Sequence, residues 1–312
     1  MRIFLTGGHG MVGRNSREHP KAKQHHITAP PHKELDLLDF LSVKKTMQDS
    51  TPDVVIHTAG KVGGIIANME AQGEFLIKNF EMGKNLLVAA KELGIKKFIN
   101  LGSSCIYPKT APNPLKEESM LSGKFEPTNE GYGLAKMAVL KLCQFFSQDD
   151  KTLQYKTLIP PNLFGRYDNF DATTSHFPAG VIRKIHQAVQ DKTSSVALWG
   201  DGSARRELMS AFDVAEAIWF ALEHLEKLPA VTNVGINHDI TILDYYNAAA
   251  SIIGFDGEWQ YLLDKPVGMK QKIMDSKFFH QLGFAPTKSL EDGIKDAYNY
   301  FLTNIAPHEK QP

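Results

Sequence analysis

The stretch "MRIFLTGGHGMVG" at residues 1–13 sets the reading of the whole chain. A short apolar run is followed by Gly7, Gly10 and Gly13, a G-x-x-G-x-x-G spacing. A strand that ends in glycines and enters a helix directly makes a tight turn, and backbone N–H groups and the helix N-terminus converge there. That place favours an anionic group such as a pyrophosphate when the turn sits in a β-α-β setting. The first half of the chain supplies the setting. Residues 25–28 ("HHIT"), 53–60 ("DVVIHTAG"), 96–104 ("KKFINLGSS") and 155–162 ("YKTLIPPN") are short apolar runs without strict alternation. Such runs suit a parallel sheet covered on both faces. Within 74–93, Leu76, Phe80, Gly83, Leu87 and Ala90 recur at helical spacing, and Gly94 is placed for a left-handed C-terminal cap.

The expected fold is therefore α/β, a Rossmann-type doubly wound parallel sheet. After about residue 165 the order is less regular, with turn-rich stretches "DATTSHFPAG" and "WGDGSARRE" around one helical segment. We expect a dinucleotide-binding domain over 1–165, with parts of about 208–235 returning to it. Residues 166–312 should form mainly a smaller, partly interleaved substrate domain. With 35 basic and 35 acidic residues the formal net charge is zero, which gives no basic stripe for nucleic acid. Two cysteines make no disulfide framework and point to a reducing compartment. The N-terminal apolar run is too short for a signal peptide, and no run reaches membrane-helix length. The expectation is a soluble cytoplasmic protein that binds neither membrane nor metal.

Tyr132 and Lys136 form Y-x-x-x-K within "GYGLAKMAVLKLCQFFSQ". On a helix this spacing places both side chains on one face. A phenol is a poor acid–base at neutral pH, and a nearby ammonium and a positive nicotinamide ring would both favour phenolate. Ser103, at the end of the 96–104 run, would hydrogen-bond a reacting oxygen. Cys105, directly after the serine pair, reads either as a small core side chain or as a reactive group at a strand end. The end of strand two carries no acid before Glu34 to accept ribose hydroxyls. Arg14, His32 and Lys33 are cations that either meet a 2′-phosphate or simply carry surface charge. NADPH is the expected cofactor.

Taken together, T-G-G-x-G-x-x-G, S-S-C-x-Y-P and Y-x-x-x-K resemble the extended short-chain dehydrogenase/reductase family. Thr58–Gly64, "LGSSCIYPK" (101–109), "EPTNEGYGLAK" (126–136), "DNF" (168–170), "WGDGSARRE" (199–207) and "INHDITI" (236–242) narrow the resemblance to its GDP-L-fucose synthases. These act on GDP-4-keto-6-deoxy-mannose as NADPH-dependent epimerase-reductases. The resemblance implies a catalytic set of Ser103, Cys105, Tyr132, Lys136 and His176, with Cys105 as base and His176 of "TTSHFP" as acid. For NADPH it implies Gly7, Gly10, Met11, Val12, Gly13, Ala59, Leu101, Tyr132, Lys136, Pro160, Asn162, Leu163 and His176. For the GDP-sugar it implies Ser104, Asn162 and Lys272. An anionic diphosphate and a purine also need cations and a planar surface, for which Lys184, Trp199 and Arg206 are candidates, Arg206 first because guanidinium binds phosphate bidentately. Cys143 is assigned to packing.

The sequence departs from the family at strand two, where Ala29, Pro30, Pro31 and His32 stand in place of basic residues. It departs again at Ser210-Ala211-Phe212-Asp213, read as a helix start with Asp213 near the N-cap. Past Lys136, only Lys141, Gln144 and Gln148 form a polar stripe on the Tyr132 helix, so its broad apolar circumference predicts a homodimer. A reductase or epimerase of a related NDP-4-keto sugar, such as a GDP-6-deoxy-heptose, is the alternative activity.

Overall fold

The structure, a computed structural model, describes residues 1–309. Its first half runs β1 (Arg2–Thr6), α1 (Met11–Glu18), β2 (His26–Thr28), α2 (Phe40–Ser50), β3 (Val54–His57), α3 (Ile65–Glu70), α4 (Gln72–Glu92), β4 (Lys97–Leu101), α5 (Glu130–Asp149) and β5 (Gln154–Ile159). Then follow β6 (Asn162–Phe164), α6 (Phe177–Asp191), β7 (Ser195–Trp199), β8 (Arg205–Arg206), β9 (Leu208–Ser210), α7 (Ala211–Glu223) and β10 (Val231–Asn233). The last segments are β11 (Ile240–Thr241), α8 (Ile242–Ile253), β12 (Glu258–Leu262), β13 (Gln271–Lys272), α9 (Lys277–Gln281), α10 (Leu290–Asn304) and α11 (Ala306–Glu309).

Six parallel strands make the central sheet, in the order β10-β5-β4-β3-β1-β2. Alternate side chains leave it on opposite faces. Ile3 and Leu5 join Ile56, Ile99, Val214, Ile218 and Trp219 under α1 and α7. Phe4 joins Val55, Phe98, Leu86, Leu87 and Val139 under α2, α4 and α5. Each of these buried side chains stabilises by roughly 1.5–3 kcal/mol. A third core, including Ile182, Ile185, Tyr245, Ile294 and Phe301, holds α6, α8 and α10 together with β7.

The strands are shorter than the apolar runs that announce them. The 96–104 run leaves the sheet after Leu101, because Ser103 Oγ accepts from the Cys105 N–H and turns Ser104–Ile106 into a 3-10 turn. The 155–162 run divides at Pro160-Pro161, which have no N–H to continue a ladder. Asn162–Phe164 then pairs with β9 instead. Strand β10, only three residues long, closes the outer edge of the sheet against β5 and was not read from the sequence. The Ser210 hydroxyl caps α7 by accepting from the Asp213 N–H at 3.0 Å, so Asp213 stands three residues inside the cap. Among the described residues no helix is long and apolar enough to cross a membrane.

Candidate active site

The loops after β1, β3, β4 and β5 all leave the same end of the parallel sheet, where such folds collect ligands. Gly7 has φ +71° and lies so close to β3 that a Cβ would stand 2.6 Å from the Ala59 nitrogen. At Gly13 a Cβ would stand 2.1 Å from the Gly7 oxygen. The first turn of α1 therefore seats directly on the loop, with Met11 and Val12 opening the helix and no side chain capping it. A bare helix N-terminus over a glycine turn fits a pyrophosphate. Arg14 stacks on Tyr167, 3.7 Å from the ring centroid, rather than turning toward strand two. Arg17, which the sequence reading passed over, takes that corner. Its Nη1 donates to Gly8 O at 3.2 Å, and its Cδ and the Ala29 methyl flank Gly8.

At the end of β4, Leu101 O accepts from Lys136 Nζ at 3.0 Å. Lys136 and Tyr132 stack one turn apart on α5, with Nζ 5.9 Å from the Tyr132 ring centroid. Burial brings the Lys136 ammonium down to about 8. The Tyr132 phenol is pushed up, first by burial and then by the charge of Cys105, while a hydrogen bond with Ser103 opposes the rise. The lowering expected from the sequence depends on the charge of the nicotinamide ring as well as on Lys136, and in the protein alone burial dominates the phenol. Ser104 is buried, and its N–H donates to Pro160 O at 3.3 Å. Asn79, a buried polar residue on α4, clamps the Gly60–Lys61 backbone beside this group. Its Oδ1 accepts from the Lys61 N–H at 2.9 Å and its Nδ2 donates to Lys61 O at 3.0 Å.

Cys105 is half-buried beside Tyr132. Its Sγ accepts from Asn129 Nδ2 at 3.2 Å and stands 3.9 Å from Lys272 Nζ. Burial, then the Arg206 charge, lower Lys272, while Cys105 holds it up. His176 ends the loop before α6. Burial, with Lys272 adding to it, pushes its imidazole down to about 4, so the ring is neutral at pH 7. Asn162 Oδ1, at the start of β6, is a buried acceptor with no partner among the described residues. Leu163 follows it on the same strand.

Arg206 is held by its Nη2 donating to Val267 O at 2.8 Å. The neighbouring Glu207 is fully buried, and its carboxylate accepts the N–H groups of Ile236, Asn237 and Met274 at 2.6, 2.9 and 2.7 Å. That latch fixes β8, β13 and the 235–237 turn, and with them Arg206 and Lys272. Lys184 lies 5.4 Å from the Trp199 ring centroid on an adjacent wall. Arg183 instead donates to Phe170 O at 2.9 Å and holds the 168–170 turn. Cys143 is fully buried in the α4–α5 core, where burial pushes its thiol up to about 12.

Residues 3–235 match the profile of the NAD dependent epimerase/dehydratase family. The chain belongs to that family. As a member it is 45% identical over 302 residues to the GDP-L-colitose synthase of Yersinia pseudotuberculosis, covering 97% of this chain and 98% of the relative. It is 44% identical over 308 residues to the GDP-L-fucose synthase of Azorhizobium caulinodans, covering 99% and 98%. Its fold superposes with a TM-score of 0.86 on the GDP-mannoheptose C4 reductase from Campylobacter jejuni with NADP bound, at 26% identity and 96% and 98% coverage. The glycine turn and the Tyr132–Lys136 pair both lie within the family match, whereas Lys272 lies beyond it.

Proposed function

We propose that the protein is an NADPH-dependent epimerase-reductase that converts GDP-4-keto-6-deoxy-D-mannose to GDP-L-fucose. The observation that carries this reading is the placement of Cys105, with Lys272 3.9 Å from its sulfur, beside the Ser103–Tyr132 pair. A plain C4 reductase needs the tyrosine and serine and has no use for the thiol. The full-length identity to a GDP-L-fucose synthase supports the substrate. Residues 1–165, with α7 and β10 returning, would hold the cofactor, and 166–312 mainly the sugar nucleotide.

Gly7, Gly10, Gly13 and the first turn of α1 would hold the pyrophosphate of NADPH, which supplies the hydride for C4 when bound. Ala59, Leu101, Pro160 and Leu163 would line its path along the strand ends. In the epimerisation, Cys105 Sγ takes the proton from C3 or C5, and the electron pair of that C–H bond moves onto the C4 oxygen. Tyr132 and Ser103 stabilise the resulting oxyanion by hydrogen bonds. His176 returns a proton on the opposite face, and an anionic diphosphate beside it would raise it from the neutral state found in the protein alone. In the reduction Tyr132 gives its proton to the C4 oxygen, and the Lys136 ammonium, held by Leu101 O, stabilises the phenolate left behind. Arg206, Lys184, Lys272 and Trp199 would bind the GDP moiety, while Ser104 and Asn162 face the sugar.

The 45% identity to a GDP-L-colitose synthase favours a second reading, in which the sugar lacks the 3-hydroxyl and C5 alone is inverted. Purified protein given NADPH and each 4-keto sugar in turn decides between them. A higher kcat/KM with the 6-deoxy sugar supports the first reading, and a preference for the 3,6-dideoxy sugar supports the second. Turnover of neither refutes both. The exposed apolar side chains Ile77 on α4 and Leu134 and Phe145 on α5 support a homodimer through these helices. Two free cysteines support a reducing cytoplasm.

A further inference from the structure

Asn129 occupies the N-cap of α5, where an asparagine side chain ordinarily accepts from an N–H of the first helical turn. It makes no such bond. The Gly131 N–H is taken by Gln72 Oε1 at 2.9 Å, and Gln72 Nε2 donates to Pro127 O at 2.9 Å. A side chain from α4 therefore does the capping, and the Asn129 amide is turned to Cys105. Nδ2 donates to Cys105 Sγ at 3.2 Å. Oδ1 is buried and has no hydrogen-bond partner among the described residues. Among the described residues, the one hydrogen bond this side chain makes is therefore the one to the sulfur.

We propose that Asn129 is a positioning residue for the epimerisation alone, resting on the reading of Cys105 as base. Its Nδ2–H aims the sulfur and holds the negative charge that Sγ carries before it takes the proton. Asn129 itself exchanges no proton: the proton passes from carbon to sulfur, and the electron pair passes to the C4 oxygen. Hydride transfer at C4 uses Tyr132, Ser103 and Lys136 and leaves Asn129 outside the reaction.

The test separates the two half-reactions. Deuterium wash-in from heavy water at C3 and C5 of GDP-4-keto-6-deoxy-mannose, read by NMR, reports proton abstraction. Reduction of NADP+ by GDP-L-fucose, read by absorbance in a single turnover, reports hydride transfer without prior epimerisation. Asn129→Ala should slow wash-in by about 10- to 100-fold, the loss of one hydrogen bond to a charged group. Hydride transfer should stay within about 3-fold of the unmodified protein. Asn129→Asp removes the donor and sets a carboxylate against the sulfur, so wash-in should fall at least as far and its pH profile should move upward. Both variants should keep the unfolding midpoint, since Gln72 caps the helix. If Asn129→Ala does not fold, the nearly isosteric Asn129→Asp carries the same comparison. Equal loss of both half-reactions, or wash-in unchanged in both variants, overturns the proposal. Absence of wash-in from the unmodified protein refutes instead the reading of Cys105 as base.

Discussion

Replacing Gly13 by alanine tests whether the first turn of α1 is a seat for a dinucleotide. The new Cβ would lie 2.1 Å from Gly7 O, 2.6 Å from Gly7 C and 2.6 Å from Gly8 Cα. A carbon–oxygen contact settles at about 3.3 Å, so helix and loop must part by about 1.2 Å. The helix is not free to move that far. Gly10 N–H donates to Gly7 O at 2.9 Å, and Trp219 Nε1, from α7, donates to Ser16 O at 3.0 Å. Forced overpacking of this kind costs about 1–3 kcal/mol of stability. A displacement of about 1 Å in a binding turn costs about 100-fold, or ~2.7 kcal/mol, in what it holds. Calorimetric titration with NADPH and thermal unfolding measure the two effects. Gly10→Ala is the control: Gly10 has φ −85°, and the nearest atom to a new Cβ is Gly7 O at an ordinary 3.5 Å. Its unfolding midpoint should not change. NADPH affinity within 3-fold and an unchanged midpoint for Gly13→Ala would refute the argument.

Lys136 has been brought down to about 8 by burial, so its ammonium is lost as pH rises through that value. The reduction rate should fall above about pH 8, and Lys136→Arg, which stays charged, should lose that limb while turning over more slowly. His57, bonded through Nδ1 to Thr6 Oγ1 at 2.8 Å, is pushed by burial to about 3 from an ordinary 6.5. The unfolded chain therefore binds this proton first, and the stability His57 contributes is whole above pH 6.5 and lost as pH falls toward 3, at about 1.4 kcal/mol per unit. Denaturant titrations across that range should show a shallower decline in His57→Asn. Gly83 faces Val139, whose Cγ2 would lie 2.5 Å from a Cβ, so Gly83→Ala should destabilise by about 1–3 kcal/mol. Gly73, in the first turn of α4 with nothing within 4 Å, should accept alanine with a gain of about 0.4–1 kcal/mol, and the same melting experiment reads both.

The parallel sheet was legible because its signals are local. The glycine turn follows its strand directly, and four apolar runs recur between helical segments, as the six-stranded sheet reflects. Strand β10 was not legible, since "VTN" is three residues long and acquires its place only by pairing with β5. The site divides in the same way. Tyr132 and Lys136 are a helical turn apart and announce themselves by spacing. Asn129, Gln72, Asn79 and Glu207 look like ordinary surface polar residues in the sequence. Their roles come from partners far along the chain, as with the bond from Glu207 to Met274 N–H or from Gln72 to Gly131 N–H. The environment of Tyr132 has the same origin: the sequence shows the neighbouring lysine, and the desolvation that raises the phenol is tertiary.

The outer neighbour of β5 comes from a part of the chain made after α6, β7, β8, β9 and α7, with Val231, Thr232 and Asn233 set against Thr157, Leu158 and Ile159. Trp219 and Ile218, which cover the Ile3–Leu5 face, come equally late. A nascent chain that has emerged only to residue 165 thus has a sheet with an open edge and one face covered by α1 but not by α7, a species prone to pair with its copies. The two halves of the sequence are not two folding units joined in line. Residues 1–165 alone lack both β10 and the α7 cover, so thermal unfolding should be one cooperative event and C-terminal truncations before residue 233 should aggregate.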